Sequence, residues 1–146
     1  MSIVNSFPQR TLAKKLIEAV ENDGTKITSI IIDRLGYQSA KLVINWKASS
    51  GSPDTAAAAI DFYSNTANSS SSPTPVKLVA LETALDVKTA GFATYDIDLS
   101  AAGRYVFATL DITYASGSSP KNILSAELIL GDKSAQPADA GTVYGR

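Results

Sequence analysis

Two carboxylates are the residues of this sequence whose type and spacing come closest to catalytic chemistry. Asp96 and Asp98 lie two apart in an alternating segment, which places both side chains on one face of a strand, roughly 7 Å apart. Paired acids serve glycosidases and calcium sites. A glycosidase also needs a sugar cleft and an acid with a raised pKa, and calcium needs about six oxygen ligands. We therefore interpret both as outward-facing solubilising residues and predict that the protein is not an enzyme.

Residue types that commonly carry catalysis are missing. The sequence has no cysteine and no histidine, which excludes Cys nucleophiles, His-based triads and thiolate or imidazole metal sites. The segments around Gly51 and Gly103 lack the helix that follows a phosphate-binding loop. Asn68-Ser69-Ser70 matches a glycosylation sequon, but without a secretory signal it indicates only a loop. We expect no catalytic residue, no cofactor and no metal.

Aromatic side chains give the sequence its strongest binding signal. Tyr63, Tyr105 and Phe107 alternate with the apolar residues of their strands, so they point away from the predicted core. Aromatic residues on an outer face are typical of a subunit interface, and sugar-binding platforms use the same residue types. Because the chain has a single Trp, which shares a face with core residues, we favour the interface.

Charge and hydropathy limit the possible partners. The 13 Lys and Arg residues and 14 Asp and Glu residues give a net charge of −1, and neither sign is gathered into a block. This excludes the basic stripe of a nucleic-acid-binding protein and the polybasic segment of a membrane tether. No secretory signal or membrane-spanning run is seen, so we expect a soluble protein.

The elements that position these residues are strands. Residue alternation and turn signals predict a single all-β domain over 1–146, an antiparallel β-sandwich or jelly-roll-like barrel of about seven to eight strands. The β core spans 26–131 and carries an exposed, mobile Ser-rich loop at 65–75. The predicted strands lie at 27–33, 40–47, 58–65, 76–81, 94–99, 104–114 and 123–130.

The two ends of the chain lack this alternation. In the N-terminal arm, 1–25, Leu12, Leu16, Ile17 and Val20 share one face of a helix, which predicts a short helical or irregular segment. It either closes one side of the core or docks on a neighbouring subunit, where Leu12 and Leu16 would make the contact. The C-terminal tail, 132–146, would reach a neighbour through Val143 and Tyr144.

Several of these strand and turn patterns occur together in one known group of proteins. The chain resembles the small head proteins encoded beside the major capsid gene in many tailed bacteriophages. The resemblance covers roughly residues 27–137, and it departs from that group in the N-terminal stretch and the Ser-rich loop. The residues that carry it are Ile30-Ile31-Ile32-Asp33, Gly36-Tyr37-Gln38-Ser39-Ala40, Ile60-Asp61-Phe62-Tyr63-Ser64-Asn65, Gly103-Arg104-Tyr105-Val106, Gly117-Ser118-Ser119-Pro120, Ser125-Ala126-Glu127-Leu128-Ile129-Leu130-Gly131 and Gln136-Pro137.

The resemblance implies a capsid decoration, or cement, protein without catalytic residues. Such a protein is made in the host cytoplasm, binds the major capsid protein at the capsid surface and self-associates, with a trimer favoured. Neither nucleic acid nor a membrane is an expected partner. Two alternatives stay open: a carbohydrate-binding β-sandwich that acts as a head fibre or receptor-binding module, and a minor tail or neck structural protein.

Overall fold

The computed structural model describes residues 11–80 and 83–133, and this part of the chain consists of strands and loops. Ten strands follow one another without an intervening helix. Their bounds are β1 Leu12–Asn22, β2 Ile27–Thr28, β3 Ile32–Asp33, β4 Tyr37–Trp46, β5 Thr55–Asn65, β6 Val76–Ala80, β7 Leu85–Asp86, β8 Gly91–Asp98, β9 Tyr105–Ala115 and β10 Asn122–Lys133.

The strands form two antiparallel sheets, which confirms the predicted β-sandwich. The four-stranded sheet has the order β1-β10-β4-β8. In the six-stranded sheet the order is β2-β9-β5-β6, with β3 also on β9 and β7 also on β5. Neighbours in the four-stranded sheet are never consecutive along the chain, so its strand order follows from long-range packing.

The core lies between the sheets and follows the alternation of the strands. In β4, Leu42 and Ile44 are buried, and in β9, Leu110 and Ile112 face them from the other sheet. Burying each such side chain contributes about 1.5–3 kcal/mol. Because side chains alternate between the two faces of a strand, the same pattern decides which residues lie on the outer face of each sheet.

The N-terminal stretch is an irregular strand, whereas the sequence left a helical and an irregular form open. Residues 12–22 form β1, which pairs with β10 at the edge of the four-stranded sheet and belongs to the β core. The pairing register shifts between Lys15 and Ile17 and again between Ile17 and Val20. These bulges bury Leu16 and Ile17 together, although they are consecutive. Because of this irregularity, the apolar residues of β1 have the spacing that is typical of a helix.

A second irregularity divides the strand predicted at 27–33. Ser29 donates its N–H to the Ala108 carbonyl at 2.8 Å, and Ile32 pairs with Val106. Ile30 and Ile31 therefore both lie opposite the single residue Phe107 in a bulge.

The Ser-rich loop is exposed as predicted, but it is organised by a buried side chain. The Asn65 amide donates to the carbonyls of Ser69 at 2.8 Å and Pro73 at 2.9 Å. Its oxygen accepts the Thr66 N–H at 2.7 Å. One amide thus holds both limbs of the loop against the end of β5.

Two further loops interlock at one end of the sandwich. The Ser118 N–H donates to the Gly51 carbonyl at 2.8 Å, and Ser50 forms an isolated bridge with Lys121. Gly51 has a φ of +81° and Gly117 a φ of +95°. Beside them the amide of Asn122, 1% exposed, donates to the carbonyls of Lys47, 2.8 Å, and Val87, 3.2 Å.

Candidate interaction surface

The outer face of the six-stranded sheet carries an aromatic pair. Tyr63 of β5 lies opposite Phe107 of β9, and their rings stack at 5.3 Å between centroids with 15° between planes. Phe107 is only 2% exposed, yet it does not belong to the core between the sheets. The sequence placed Phe107 correctly on the outer face. The prediction that Phe107 is exposed there is wrong, because Tyr63 and the bulge at Ile30 and Ile31 flank it.

Charged residues surround the aromatic pair and neutralise one another. Lys77 lies over the Tyr63 ring, 5.9 Å from its centroid, and pairs with Asp61 at 3.2 Å. Both groups are partly solvated, so this ion pair adds little to stability. An apolar centre bordered by paired charges is the usual arrangement of a protein interface.

The same face is bordered at its other end by a bidentate ion pair. Arg104 donates through Nε to Asp33 Oδ1 at 3.0 Å and through a terminal nitrogen to Oδ2 at 2.7 Å. These hydrogen bonds hold the pKa of Asp33 below its ordinary value. The guanidinium also lies 5.3 Å from the centroid of the Tyr105 ring.

Ile30 adds exposed apolar surface to this face, and Leu35 in the turn that follows β3 is exposed as well. Ile30, in the bulge opposite Phe107, is 59% exposed, and Leu35, in the turn after β3, is 61% exposed. We refer to Ile30, Tyr63, Tyr105 and Phe107 together as the aromatic face. The alternation of strands revealed its aromatic members, whereas the part played by Ile30 depends on a bulge that sequence reasoning missed.

The two carboxylates considered for catalysis lie on the outer face of the other sheet. Asp96 forms an ion pair with Lys41 at 2.7 Å, and both side chains are solvated. Asp98 accepts the Ser100 N–H at 2.9 Å, and this hydrogen bond lowers the pKa of Asp98. The lowered pKa of Asp98 disfavours the protonated acid that a glycosidase requires.

A shallow groove of about 1000 Å³ runs beside these acids. Its floor includes Lys41, Ile129 and Gly131, and Ser39 donates to Asp132 at 2.8 Å along one side. Within residues 11–80 and 83–133 no three acidic side chains come close enough to hold a metal ion. The same ranges contain no helix that is long and apolar enough to cross a membrane. Sequence reasoning did not single out this groove, because its walls come from four distant segments.

The remaining predicted interface residues are separated from the aromatic face. Leu16 is 2% exposed in the core, so the contact predicted for it with a neighbour is wrong. Leu12 is 36% exposed at the start of β1, on the other sheet. Val143 and Tyr144 lie outside the described residues.

The fold was compared with solved structures. A structure of the Gx strain of infectious bursal disease virus matches with a TM-score of 0.53 and 9% identity over 85% of this chain. A T13 viral particle of the same virus matches with a TM-score of 0.51 and 10% identity over 86% of this chain. In both cases the match spans only 32% of the viral chain.

No family model and no curated protein matches the sequence. A carbohydrate-binding module described as CBM4 also aligns, at a TM-score of 0.41 and 9% identity over 84% of this chain and 71% of that chain. At these identities the two viral structures establish a shared β-sandwich fold and nothing more.

Proposed function

We propose that this protein is a non-enzymatic structural subunit of a virion, and specifically a decoration protein of a tailed-phage capsid. The observation that carries the proposal is the aromatic face: Phe107 is buried outside the core, while Ile30 beside it stays 59% exposed. The exposed Ile30 and the Tyr63 ring, which Phe107 supports from the side, form an apolar centre bordered by paired charges, and this arrangement suits a contact with another protein. The partner is the major capsid protein.

The bulk properties support the same role. A net charge of −1 favours apolar contact over binding to nucleic acid. A decoration protein meets a repeated lattice, so several subunits of one oligomer engage together and modest contacts add up through effective concentration. We propose that the subunit self-associates, with a trimer favoured, at the symmetric positions of the lattice.

The absence of enzymatic activity is part of the proposal. Asp96 forms an ion pair with Lys41, and the Asp98 carboxylate accepts a hydrogen bond from the Ser100 N–H. An Asp98→Asn variant is therefore expected to equal the parent protein in every functional assay. A hydrolytic activity lost in that variant would contradict this part of the proposal.

Co-sedimentation with mature capsids that lack the protein tests the main claim. Saturable binding in many copies per particle is expected. Ile30→Lys should reduce binding at least about tenfold, because an ammonium group must be desolvated at the interface. Val20→Lys is the matched control, since Val20 is also an exposed aliphatic residue, 55%, but lies on β1 of the other sheet. Absence of binding, or equal loss in both variants, would refute the proposal.

A glycan-binding module is the second candidate function, because a partly exposed tyrosine with a charged neighbour also suits sugar stacking. Tyr105 with Arg104 above its ring is the residue that this alternative would use. Binding on a glycan array that is lost in Tyr105→Ala, together with no capsid binding, would favour it.

A further inference from the structure

The edge strand β8 presents a row of unpaired main-chain groups. It has β4 as its neighbour and stands at the end of the four-stranded sheet. The Leu99 N–H donates to the Gln38 carbonyl at 2.9 Å, in the register of the β4–β8 pairs. The main-chain groups of Leu99 therefore point towards β4. In an antiparallel pair the main-chain groups of successive residues point alternately towards the partner strand and away from it, so the N–H and C=O groups of Phe92, Thr94 and Asp96 point away from β4. In the described part of the chain, no strand meets them.

At the opposite edge of the same sheet, formed by β1, no further strand of the described residues pairs with the outward main-chain groups. The Lys47 N–H donates to the Ile123 carbonyl at 3.0 Å, so the main-chain groups of Ile123 and of every second residue after it in β10 point towards β4. The residues between them direct their main-chain groups towards β1. In β1, which pairs with the other side of β10, the main-chain groups of Ala13 and Lys15 therefore point outward. The segments that would meet differ in charge, because β8 ends in Asp96 and Asp98 while the first half of β1 carries Lys14 and Lys15. The acidic residues of β1, Glu18 and Glu21, lie in its second half.

The register of the sheet relates these two edges to each other. Ala13 pairs with Ile129, Ile129 with Lys41 and Lys41 with Asp96. The next row runs from Lys15 through Glu127 and Val43 to Thr94. A second copy that continues the sheet thus brings its Ala13 opposite Asp96 and its Lys15 opposite Thr94. In these two rows, the main-chain N–H and C=O groups of both edge strands point outward.

We propose that β8 of one copy binds β1 of a second copy, so that the four-stranded sheet continues from subunit to subunit. The strands alternate in direction across the sheet, so β8 and the incoming β1 are antiparallel. Lys15 then lies diagonal to Asp96, at a distance that a long side chain spans. Pairing β8 with another β8 would bring the carboxylates of Asp96 and Asp98 from both copies together without a cation from the partner strand. The opposite charges of the segments that meet therefore favour the head-to-tail contact.

Disulfide trapping tests the contact and its register, since the chain has no cysteine of its own. Ala13→Cys and Asp96→Cys are made in separate proteins and mixed under mild oxidation. The Cα atoms of a hydrogen-bonded antiparallel pair are about 5.5 Å apart, which a disulfide can bridge. The mixed dimer is expected to exceed either homodimer, and to exceed a mixture of Ala13→Cys with Ala59→Cys, which lies exposed on the other sheet.

Proline provides a second measurement that does not depend on a new bond. Thr94→Pro removes an outward N–H without breaking a β4–β8 hydrogen bond, so the sheet persists. Self-association, measured by light scattering over a concentration series, should weaken at least about tenfold. Thr94→Val keeps the N–H and should associate like the parent protein. Equal association of all three proteins would overturn the proposal, as would Asp96→Cys homodimers that dominate the mixture.

This inference gives a contact for the self-association in the proposed function, but it does not rest on the binding of the aromatic face to the capsid. Loss of capsid binding in Ile30→Lys with self-association intact concerns the aromatic face alone. Conversely, Thr94→Pro changes the association of copies without altering the aromatic face. The two proposals can therefore fail separately.

Discussion

Tyr63 stacks on Phe107 with 5.3 Å between ring centroids and 15° between ring planes, on the outside of the six-stranded sheet. This contact explains how a phenylalanine that points away from the core is only 2% exposed. It gives the outer face a small apolar centre of its own, beside the main core. A residue of the proposed interface, Tyr63, and a buried residue that stabilises the fold, Phe107, are thus neighbours on adjacent strands.

Phe107→Ala is expected to destabilise the fold by about 3 kcal/mol, since it removes a buried aromatic side chain and leaves a cavity. Urea unfolding monitored by circular dichroism measures the change. Thr109→Ala, on the same strand and face, should cost well under about 1 kcal/mol. A double-mutant cycle with Tyr63→Leu and Phe107→Leu should give a coupling of about 0.5–1.5 kcal/mol. Equal effects at positions 107 and 109 would contradict the burial of Phe107.

Asn122→Ala should lower the free energy of unfolding by about 2–3 kcal/mol, because the carbonyls of Lys47 and Val87 lose a donor inside the protein. Asn122→Asp should cost more, since it brings a carboxylate against the same two oxygens. Thermal and urea unfolding of both variants test this. Asn45→Ala, an exposed position on β4, serves as the control and should be nearly neutral. An Asp variant as stable as the parent protein would show that the amide does not donate to these carbonyls.

Gly51→Ala is expected to destabilise the interlocked loops by at least about 1–2 kcal/mol, because L side chains are strained at φ +81°. The new Cβ would also lie 2.6 Å from the Ser118 carbonyl oxygen. Gly117→Ala meets the same conditions, with φ +95° and the Gly51 oxygen at 2.9 Å. Gly131→Ala is the control, since its Cβ would meet Ser39 Oγ at an ordinary 3.4 Å. Melting temperatures that fall equally in all three variants would argue against the interlocking.

Acid should weaken the fold in part through Asp33. Its pKa lies below 3.8 in the folded protein because Arg104 donates to it, so this contribution is present above that pH. It is lost as the pH falls from 3.8 through the folded pKa, where the carboxylate is protonated. Asp33→Asn should therefore flatten the dependence of the urea midpoint on pH below about 4, while Asp23 and Asp98 keep their own lowered pKa values. An unchanged pH profile would exclude this role of the ion pair.

Much of the fold could be predicted from the sequence, because local alternation decides which face each residue occupies. β4, β5, β8, β9 and β10 lie where the alternation predicts strands. The β1 strand was misread because its two bulges bury consecutive residues, Leu16 and Ile17, and spread the apolar positions at helical spacing. Bulges depend on the partner strand, so a single segment does not reveal them.

The candidate site was predictable to a smaller extent. Alternation placed Tyr63, Tyr105 and Phe107 on the outer face, but the cover over Phe107 comes from residues far away in the chain. Strand order was out of reach for the same reason, since every neighbour in the four-stranded sheet is distant in sequence. The edge pairing of β1 and β8 could not be inferred until that order was known.

The strand order of the four-stranded sheet has a consequence for how the molecule folds. Since β1, β10, β4 and β8 are never consecutive neighbours, no hairpin can nucleate that sheet, and each contact must close a long loop. By contrast, β5 and β6 are joined by the loop that Asn65 holds, which makes them the most local pair of strands. We expect folding on a time scale of milliseconds to seconds, with the β5–β6 hairpin formed in the transition state. Mutational rate analysis should accordingly give higher φ-values in that hairpin than at β1, which would be among the last strands to join.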